Sequence, residues 1–253
     1  MEKSTVIGLL VGIGGILLGN IIEGGHVASL VQGAAFVIVF SGTFGAVLVS
    51  SSMDDFKKGL SLFKKSFFKH DDKADFKIKS VVEMSKIARK DTVLSLESKM
   101  NEVSDPFMAG ILRAVIDGVD SKTIRNIFET AILAEEEVEM AGAKIWLDAG
   151  GYAPTIGIIG AVLGLIHVMG NLSDTSKLGA GIAVAFVATV YGVASANLIF
   201  LPIGNKIKKR IQHESQVKMM ILEGILEIPS GLNPVIINQK MRSFIEKSGE
   251  LDA

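Results

Sequence analysis

The chain has 253 residues, a formal net charge of −1 at pH 7 and no cysteine. The lack of cysteine excludes disulfides, thiolate metal sites and a cysteine nucleophile, and the near-neutral charge gives no sign of a nucleic-acid partner. Mean hydropathy is +0.44, and 49% of the residues are apolar, which is high for a water-soluble globular chain. The 27 glycines are about 11% of the chain against a usual ~7%, and many lie in apolar stretches, as in tightly packed membrane helices.

Four stretches are long and apolar enough to cross a bilayer, which takes about 20 residues of helix. They cover residues 4–22, 30–50, 152–172 and 178–201. The short connections "EGGHVAS" and "SDTSK" join them in pairs. The pattern predicts an all-α membrane protein with four transmembrane helices in two hairpins. The first stretch is expected to be a span rather than a signal peptide, because "MEK" has little positive charge and a second span follows.

Two polar segments complete the chain and set the predicted domain boundaries. Transmembrane helices 1 and 2 are assigned to residues 1–50, a helical loop domain to 51–151, the second pair of spans to 152–201 and a tail to 202–253. Apolar residues three and four apart in "IKSVVEMSKIARKDTVLSLESKM" predict a helix there. Ser121 precedes a further helical pattern and is the expected N-cap.

Basic residues near the span ends predict the orientation. They cluster after the second and fourth spans: Lys57, Lys58, Lys64, Lys65, Lys69, Lys206, Lys208, Lys209 and Arg210. The hairpin connections contribute only Lys177. The loop domain, the tail and both termini are therefore expected in the cytoplasm.

No enzymatic signature is present, and no cofactor is expected. The histidines lie far apart, without metal-ligand spacing: His26, His70, His167 and His213. The glycine-rich "GIGGILLGN" lies inside a span and indicates helix packing rather than nucleotide binding. His167 is the ionisable residue of the spans and so a candidate for function, but its place near the span end favours a packing or headgroup role.

Uncharged polar residues and two prolines are the other candidates in the spans. Thr155 lies on the third span, and the fourth carries Thr189, Tyr191, Ser195 and Asn197. Such hydroxyls commonly bond to backbone or to a neighbouring helix. Pro154 opens the third span and is either a helix start or a pivot. Pro202 closes the fourth and is expected to bend the chain.

In the loop segment, Arg89, Lys90 and Glu97 are predicted within two turns of one helix. Charges on such a helix usually form a solvated face. The residues alone do not assign them another role.

These features together resemble the MotA/PomA family of flagellar stator subunits. The resemblance covers nearly the whole chain and is carried by "GGYAPTIGIIGAVLGLIHVMGNL", "AVAFVATVYGVASANLIFLPIGNKI", "ARKDTVLSLES" and "EGGH". The second pair of spans also resembles the wider MotA/TolQ/ExbB proton channel group, whose ExbB and TolQ members have fewer spans and lack this loop helix.

The resemblance implies a bacterial inner-membrane protein that forms a pentameric ring around single helices of a MotB-type partner. That partner brings the ion-binding aspartate, and ion flow turns the ring against the rotor protein FliG. The family's rotor-contact arginine and glutamate match Arg89 and Glu97, and Lys90 matches a neighbouring basic position. A further acidic position in some relatives falls near Met100, which is not acidic. The family's two functional prolines match Pro154 and Pro202, and its channel threonine matches Thr189.

The coupling ion is expected to be the proton, with sodium less favoured. Sodium-driven relatives carry a threonine in the third span at the position of Ala161. A sodium ion needs several oxygen ligands to replace its water, whereas a proton needs one carboxylate and a relay. Thr189 remains and can still supply oxygens. The alternatives are an ExbB/TolQ-like energiser of an envelope process, a membrane scaffold and, last, an enzyme.

Overall fold

A computed structural model describes residues 3–68, 73–170 and 175–250, except the side chains of 175–177, 180 and 246–250. The helices are α1 Lys3–Ile22, α2 Gly33–Ser50, α3 Met53–Ser66, α4 Ala74–Lys90, α5 Pro106–Ile116, α6 Ser121–Met169, α7 Thr175–Ser195, α8 Leu201–Leu226 and α9 Pro234–Glu250. Short 3-10 helices cover Val27–Leu30 and Val93–Glu102, and a π-helical turn covers Ala196–Phe200. No strand occurs in these ranges, so the all-α prediction is confirmed.

Among the described residues, four helices are long and apolar enough to span a membrane, as the sequence predicts. α1 and α2 form the first pair, and the later parts of α6 and α7 form the second. Most of the connection between α6 and α7 lies outside the described residues, as do Leu172, Lys69 and His70.

The chain divides into two compact units that interleave in sequence. The membrane unit comprises residues 1–69 and 139–208, and the polar unit comprises 70–138 and 209–253. α6 and α8 contribute to both units, because each helix runs without a break through the division between them. These divisions differ from the boundaries read from the sequence. Hydropathy shows where a helix becomes apolar, whereas the compact units reflect which residues pack together.

The membrane unit is organised by helix α2, which buries one face every fourth residue. Ala35, Val39, Thr43 and Val47 are fully buried, and the first two pack with Val187 and Ala188 of α7. This spacing is that of one helix face. Near the end of α2, Phe44 packs edge-to-face on Trp146 of α6 and on Phe200. α1, by contrast, buries no residue within the chain.

The polar unit has its own apolar core, contributed by α4, α5, α6, α8 and α9. Fully buried side chains from these helices are Ile78, Ile111, Ile124, Ile221 and Ile237. Each such side chain stabilises the unit by roughly 1.5–3 kcal/mol relative to exposure. A charged network joins three of the helices, since Glu223 pairs with Arg125 and also with Lys240 at 2.7 Å.

The predicted N-cap of α6 is wrong by one residue. Asp120, not Ser121, accepts hydrogen bonds from the backbone N–H groups of Lys122 and Thr123, each at 3.0 Å. The Thr123 side chain, together with these backbone bonds, holds the pKa of Asp120 below its usual value. Aspartate and serine are both good caps, and here the aspartate serves.

Candidate functional site

Thr155, Ala161 and Thr189, the residues predicted to line the ion path, lie beside a contact between α6 and α7. In this contact, called the seam, the two helices approach backbone to backbone. Small residues of α6 repeat along one face at Ala153, Gly157, Gly160 and Gly164. The facing side of α7 carries small residues at the same spacing: Gly181, Ala185, Ala188 and Gly192. The spacing of four, three and four residues places each set on one face of its helix. Small residues allow membrane helices to pack with their backbones in contact.

Contact across the seam is closer than any larger side chain permits. A Cβ atom added at Gly192 would lie 2.5 Å from the carbonyl oxygen of Ala153, and one at Gly157 would lie 2.9 Å from that of Ala188. At Gly164 it would lie 2.8 Å from the backbone nitrogen of Ala185. The close packing that glycines permit in membrane helices occurs here between α6 and α7 of the same chain.

The two threonines direct their hydroxyl protons into their own helices. Thr155 donates to the carbonyl of Tyr152 at 2.8 Å, and Thr189 donates to that of Ala185 at 3.4 Å. Their oxygens keep lone pairs that can accept a hydrogen bond or ligate a cation. Thr155 is exposed and Thr189 half-buried. The Cα of Thr189 lies 3.4 Å from a Cβ placed at Gly157, between Thr155 and Ala161 in sequence.

The seam adjoins an uncovered apolar surface. Ala161 is half-buried at its edge, while Ile158 and Val162 are exposed by 57% and 50%. On α7, Phe186 and Val190 are exposed by 69% and 43%. Residues 149–170 contain no aspartate or glutamate, and the basic group among them is His167, exposed near the end of α6.

Pro154 is not a helix start, because it lies in the interior of α6. A proline there has no N–H to donate to the carbonyl four residues earlier, that of Gly150. Packing preserves the helix around it, since Ala149 and Ala153 are fully buried and Gly150 contacts Leu201. The sequence could not distinguish a proline at a helix start from one inside a helix, because an apolar stretch can begin in the middle of a helix.

Pro202 follows a π-helical turn, Ala196–Phe200, in a helix that continues to Leu226. The N–H of Leu201 bonds to the carbonyl of Ala196, five residues back. In a regular α-helix, the proline ring would clash with the carbonyl of Leu198. The wider turn gives the ring space, so the expected bend takes the form of a local change of helix type.

Arg89, Lys90 and Glu97 do not share one helix, contrary to the prediction. α4 ends at Lys90, Asp91 and Thr92 leave the helical conformation, and Glu97 lies on the following 3-10 helix. The break lets Leu96 enter the core with no exposed surface. All three charged side chains are exposed, and none forms an ion pair with another described residue. Met100 packs against the core of the polar unit.

Two features of the membrane unit were missed by the sequence reasoning. The small residues of α7 repeat with the same spacing as those of α6, a signal that would have identified the seam. Tyr191 donates to the carbonyl of Leu30 at 2.6 Å and accepts from the N–H of Gln32 at 3.3 Å. This side chain thereby fixes the connection between α1 and α2 to α7. A single sequence gives no signal for so distant a pair.

No group of three or more histidine, aspartate or glutamate side chains within the described ranges is placed to hold a metal ion.

Two family models match the chain. That of the MotA/TolQ/ExbB proton channel family covers residues 99–220, and that of the Motility protein A N-terminal region covers residues 6–92. Motility protein A of Borreliella burgdorferi is 35% identical over 97% of this chain and 94% of its own length. Chemotaxis protein PomA of Vibrio alginolyticus is 29% identical over 98% and 96%.

Solved structures show the same fold over nearly the whole chain. The flagellar MotAB stator complex from Bacillus subtilis superposes with a TM-score of 0.89 at 30% identity, covering 99% of both chains. MotAB from C. jejuni gives a TM-score of 0.89 at 30% identity, covering 96% of both.

Proposed function

This chain belongs to the Motility protein A family of flagellar stator subunits, within the MotA/TolQ/ExbB proton channel family, and from that membership we propose that it couples proton flow to rotation of the motor. Protons cross beside the α6–α7 seam, next to a single-span MotB-type partner. The chain assembles as a pentameric ring around two such partner helices in the bacterial inner membrane, with both termini in the cytoplasm. The exposed charges of the polar unit act on FliG.

One observation carries the proposal: a seam with hydroxyl oxygens but no carboxylate lies beside an uncovered apolar surface. A partner helix with one aspartate supplies the missing acid and covers that surface. When the acid is protonated it loses its charge, and the packing it prefers against the ring changes. The electrical part of the gradient supplies about 2.3 kcal/mol per proton per 100 mV.

The two prolines are the points where the spans can adjust during this cycle. Pro154 leaves the carbonyl of Gly150 without its usual donor, directly before the tight contact of Ala153 with Gly192. Pro202 lies after a turn that is already π-helical. π-turns are commonly found at functional positions in helices.

The proton is favoured over sodium because the side chain of Ala161 provides no oxygen, although Thr189 can still supply one. Sodium requires a set of oxygens around it, whereas a proton requires one acid and a relay. We expect swimming driven by this stator to collapse with a protonophore and to persist without sodium. Strict dependence on sodium would refute the role given to Ala161.

Arg89, Lys90 and Glu97 are exposed and available for charge contacts with the rotor. Complementary charges set partner choice and encounter rate more than they set affinity. Reversal by Arg89→Glu or Glu97→Lys should abolish swimming, while the protein still inserts and assembles. Arg113→Glu changes an exposed charge on α5 and serves as the matched control. Normal motility of both site variants would reject the rotor contact.

An ExbB/TolQ-like energiser shares the second pair of spans but is less well supported. The match to the Motility protein A N-terminal model covers the first pair of spans and α4. The named relatives are motility and chemotaxis proteins.

A further inference from the structure

Helix α3 crosses from the end of span α2 onto α6 and presents two different faces. Two residues separate it from α2. The second of them, Ser52, caps α3 by accepting a hydrogen bond from the N–H of Asp55 at 3.1 Å. Two acids, Asp54 and Asp55, lie in its first turn, and two lysines, Lys64 and Lys65, lie in its last. This arrangement suits the helix dipole, so α3 is a well-terminated helix in its own right.

The inner face of α3 is fixed to α6. The indole N–H of Trp146 donates to the carbonyl of Gly59 at 2.9 Å, and the ring of Phe63 stacks on Trp146 at 4.6 Å. A Cβ at Gly59 would lie 2.9 Å from the carbonyl oxygen of Gly142. Lys58 pairs with Glu139 at 3.2 Å. The rotation of α3 about its axis is therefore set by close packing.

The outer face combines apolar and basic side chains. Met53, Lys57, Leu60 and Lys64 follow one another at intervals of four, three and four residues, which places them on one side of the helix. Met53 is 58% exposed and Leu60 46%, and Phe68, just beyond the helix, is 62% exposed. The Lys57 side chain is 71% exposed, with Asp54 at 3.8 Å on the rim of the face.

The position of α3 along the span brings this face to the membrane boundary. Phe56 packs edge-to-face on Phe44, with ring centroids 6.4 Å apart. Phe44 lies six residues before the end of α2 at Ser50, about 9 Å along the helix axis. The first turns of α3 are thus level with the last turns of an apolar span, where lipid headgroups begin.

We propose that the outer face of α3, Met53, Lys57, Leu60 and Lys64, docks on anionic phospholipid headgroups. Lysine side chains extend their charge toward phosphate while their methylenes lie along the acyl boundary. Large apolar residues interleaved with lysines are typical of helices that lie in the membrane interface. The contact anchors α3, and through Trp146 it steadies the part of α6 that precedes Pro154. It depends only on membrane insertion, not on ion conduction or rotor contact.

Site-directed spin labelling of the full-length chain tests this directly, because the protein has no cysteine of its own. A nitroxide is attached at Leu60→Cys on this face or, about 100° round the helix at the edge of the face, at Ser61→Cys. The protein is reconstituted in phosphatidylcholine alone or in an equimolar mixture with phosphatidylglycerol. In the mixture we expect the label to be accessible to oxygen and shielded from a water-soluble nickel complex.

With α3 still seated on α6, the charge-removing pair Lys57→Gln and Lys64→Gln should reduce the label's shielding from the nickel complex in the same mixture, toward the value in phosphatidylcholine alone. Each lysine near an anionic surface contributes about fivefold to the docking equilibrium, so both together contribute on the order of 25-fold. The charge-conserving pair Lys57→Arg and Lys64→Arg should preserve docking. The matched control is Lys58→Gln, because Lys58 pairs with Glu139 and does not lie on the outer face. Emission from Trp146 verifies that α3 remains seated on α6.

Two results would overturn the proposal. One is a label whose accessibility is the same with and without phosphatidylglycerol. The other is a label shielded from both reagents in every lipid, since that face would then be covered by protein, either a second copy of this chain or another partner.

Discussion

The tightest contact of the seam predicts a specific cost for enlarging Gly192. In Gly192→Ala, the new Cβ would start 2.5 Å from the Ala153 carbonyl oxygen and 3.1 Å from the Cα of Gly157, whereas ordinary contact begins at 3.4 Å. Both neighbours are backbone atoms, so no side chain can rotate away. The two helices must separate, which opens the packing of small residues along their whole length.

The magnitude follows from two opposing effects. Overpacking in a well-packed interior costs roughly 1–3 kcal/mol. Alanine in place of glycine returns about 1 kcal/mol of helix propensity. Gly179→Ala gains the same propensity on the same helix and meets nothing within 4 Å. The difference between the two variants isolates the seam and should be about 1–3 kcal/mol, with Gly192→Ala the less stable.

Thermal unfolding followed through the single tryptophan measures this difference. Trp146 is 94% buried in the aromatic cluster of the membrane unit, so its emission reports on that unit. A difference of 1 kcal/mol corresponds to a shift in Tm of about 2–4 °C for a chain of this size. Equal stability of the two variants would refute the backbone-to-backbone seam.

Two further predictions concern α3 and α5. Trp146→Phe should keep the ring stacking but remove the indole hydrogen bond to the carbonyl of Gly59, costing about 0.5–1.5 kcal/mol. Circular dichroism should show a lower Tm, and hydrogen exchange should be faster in α3. Unchanged exchange would contradict the packing of α3 on α6. Burial opposes ionisation of Asp105, yet Lys77 at 2.9 Å and the N–H groups of Met108 and Phe107 hold its pKa below the usual value. This stability is present above the unfolded-state pKa of about 3.9 and is lost as pH falls through the lower folded-state pKa. Asp105→Ala should therefore lower stability by about 1–2 kcal/mol at neutral pH and by progressively less in acid, and a difference independent of pH would contradict the role of the carboxylate.

Hydrophobic length and periodicity determined the four spans and the all-α class, because crossing a bilayer requires a long apolar helix whatever the rest of the chain does. The sequence alone also showed that many glycines lie in the apolar stretches. These are properties of consecutive residues, so they need no knowledge of distant contacts.

Only the tertiary structure decided which helix those glycines contact, where α4 ends and how the prolines are accommodated. Ala153 and Gly192 meet through backbone atoms, and the break after Lys90 exists because Leu96 is buried. Pro154 lies in a continuous helix because packing of Ala149 and Ala153 outweighs one lost hydrogen bond. Each outcome depends on residues distant in sequence, and local propensity alone does not specify them.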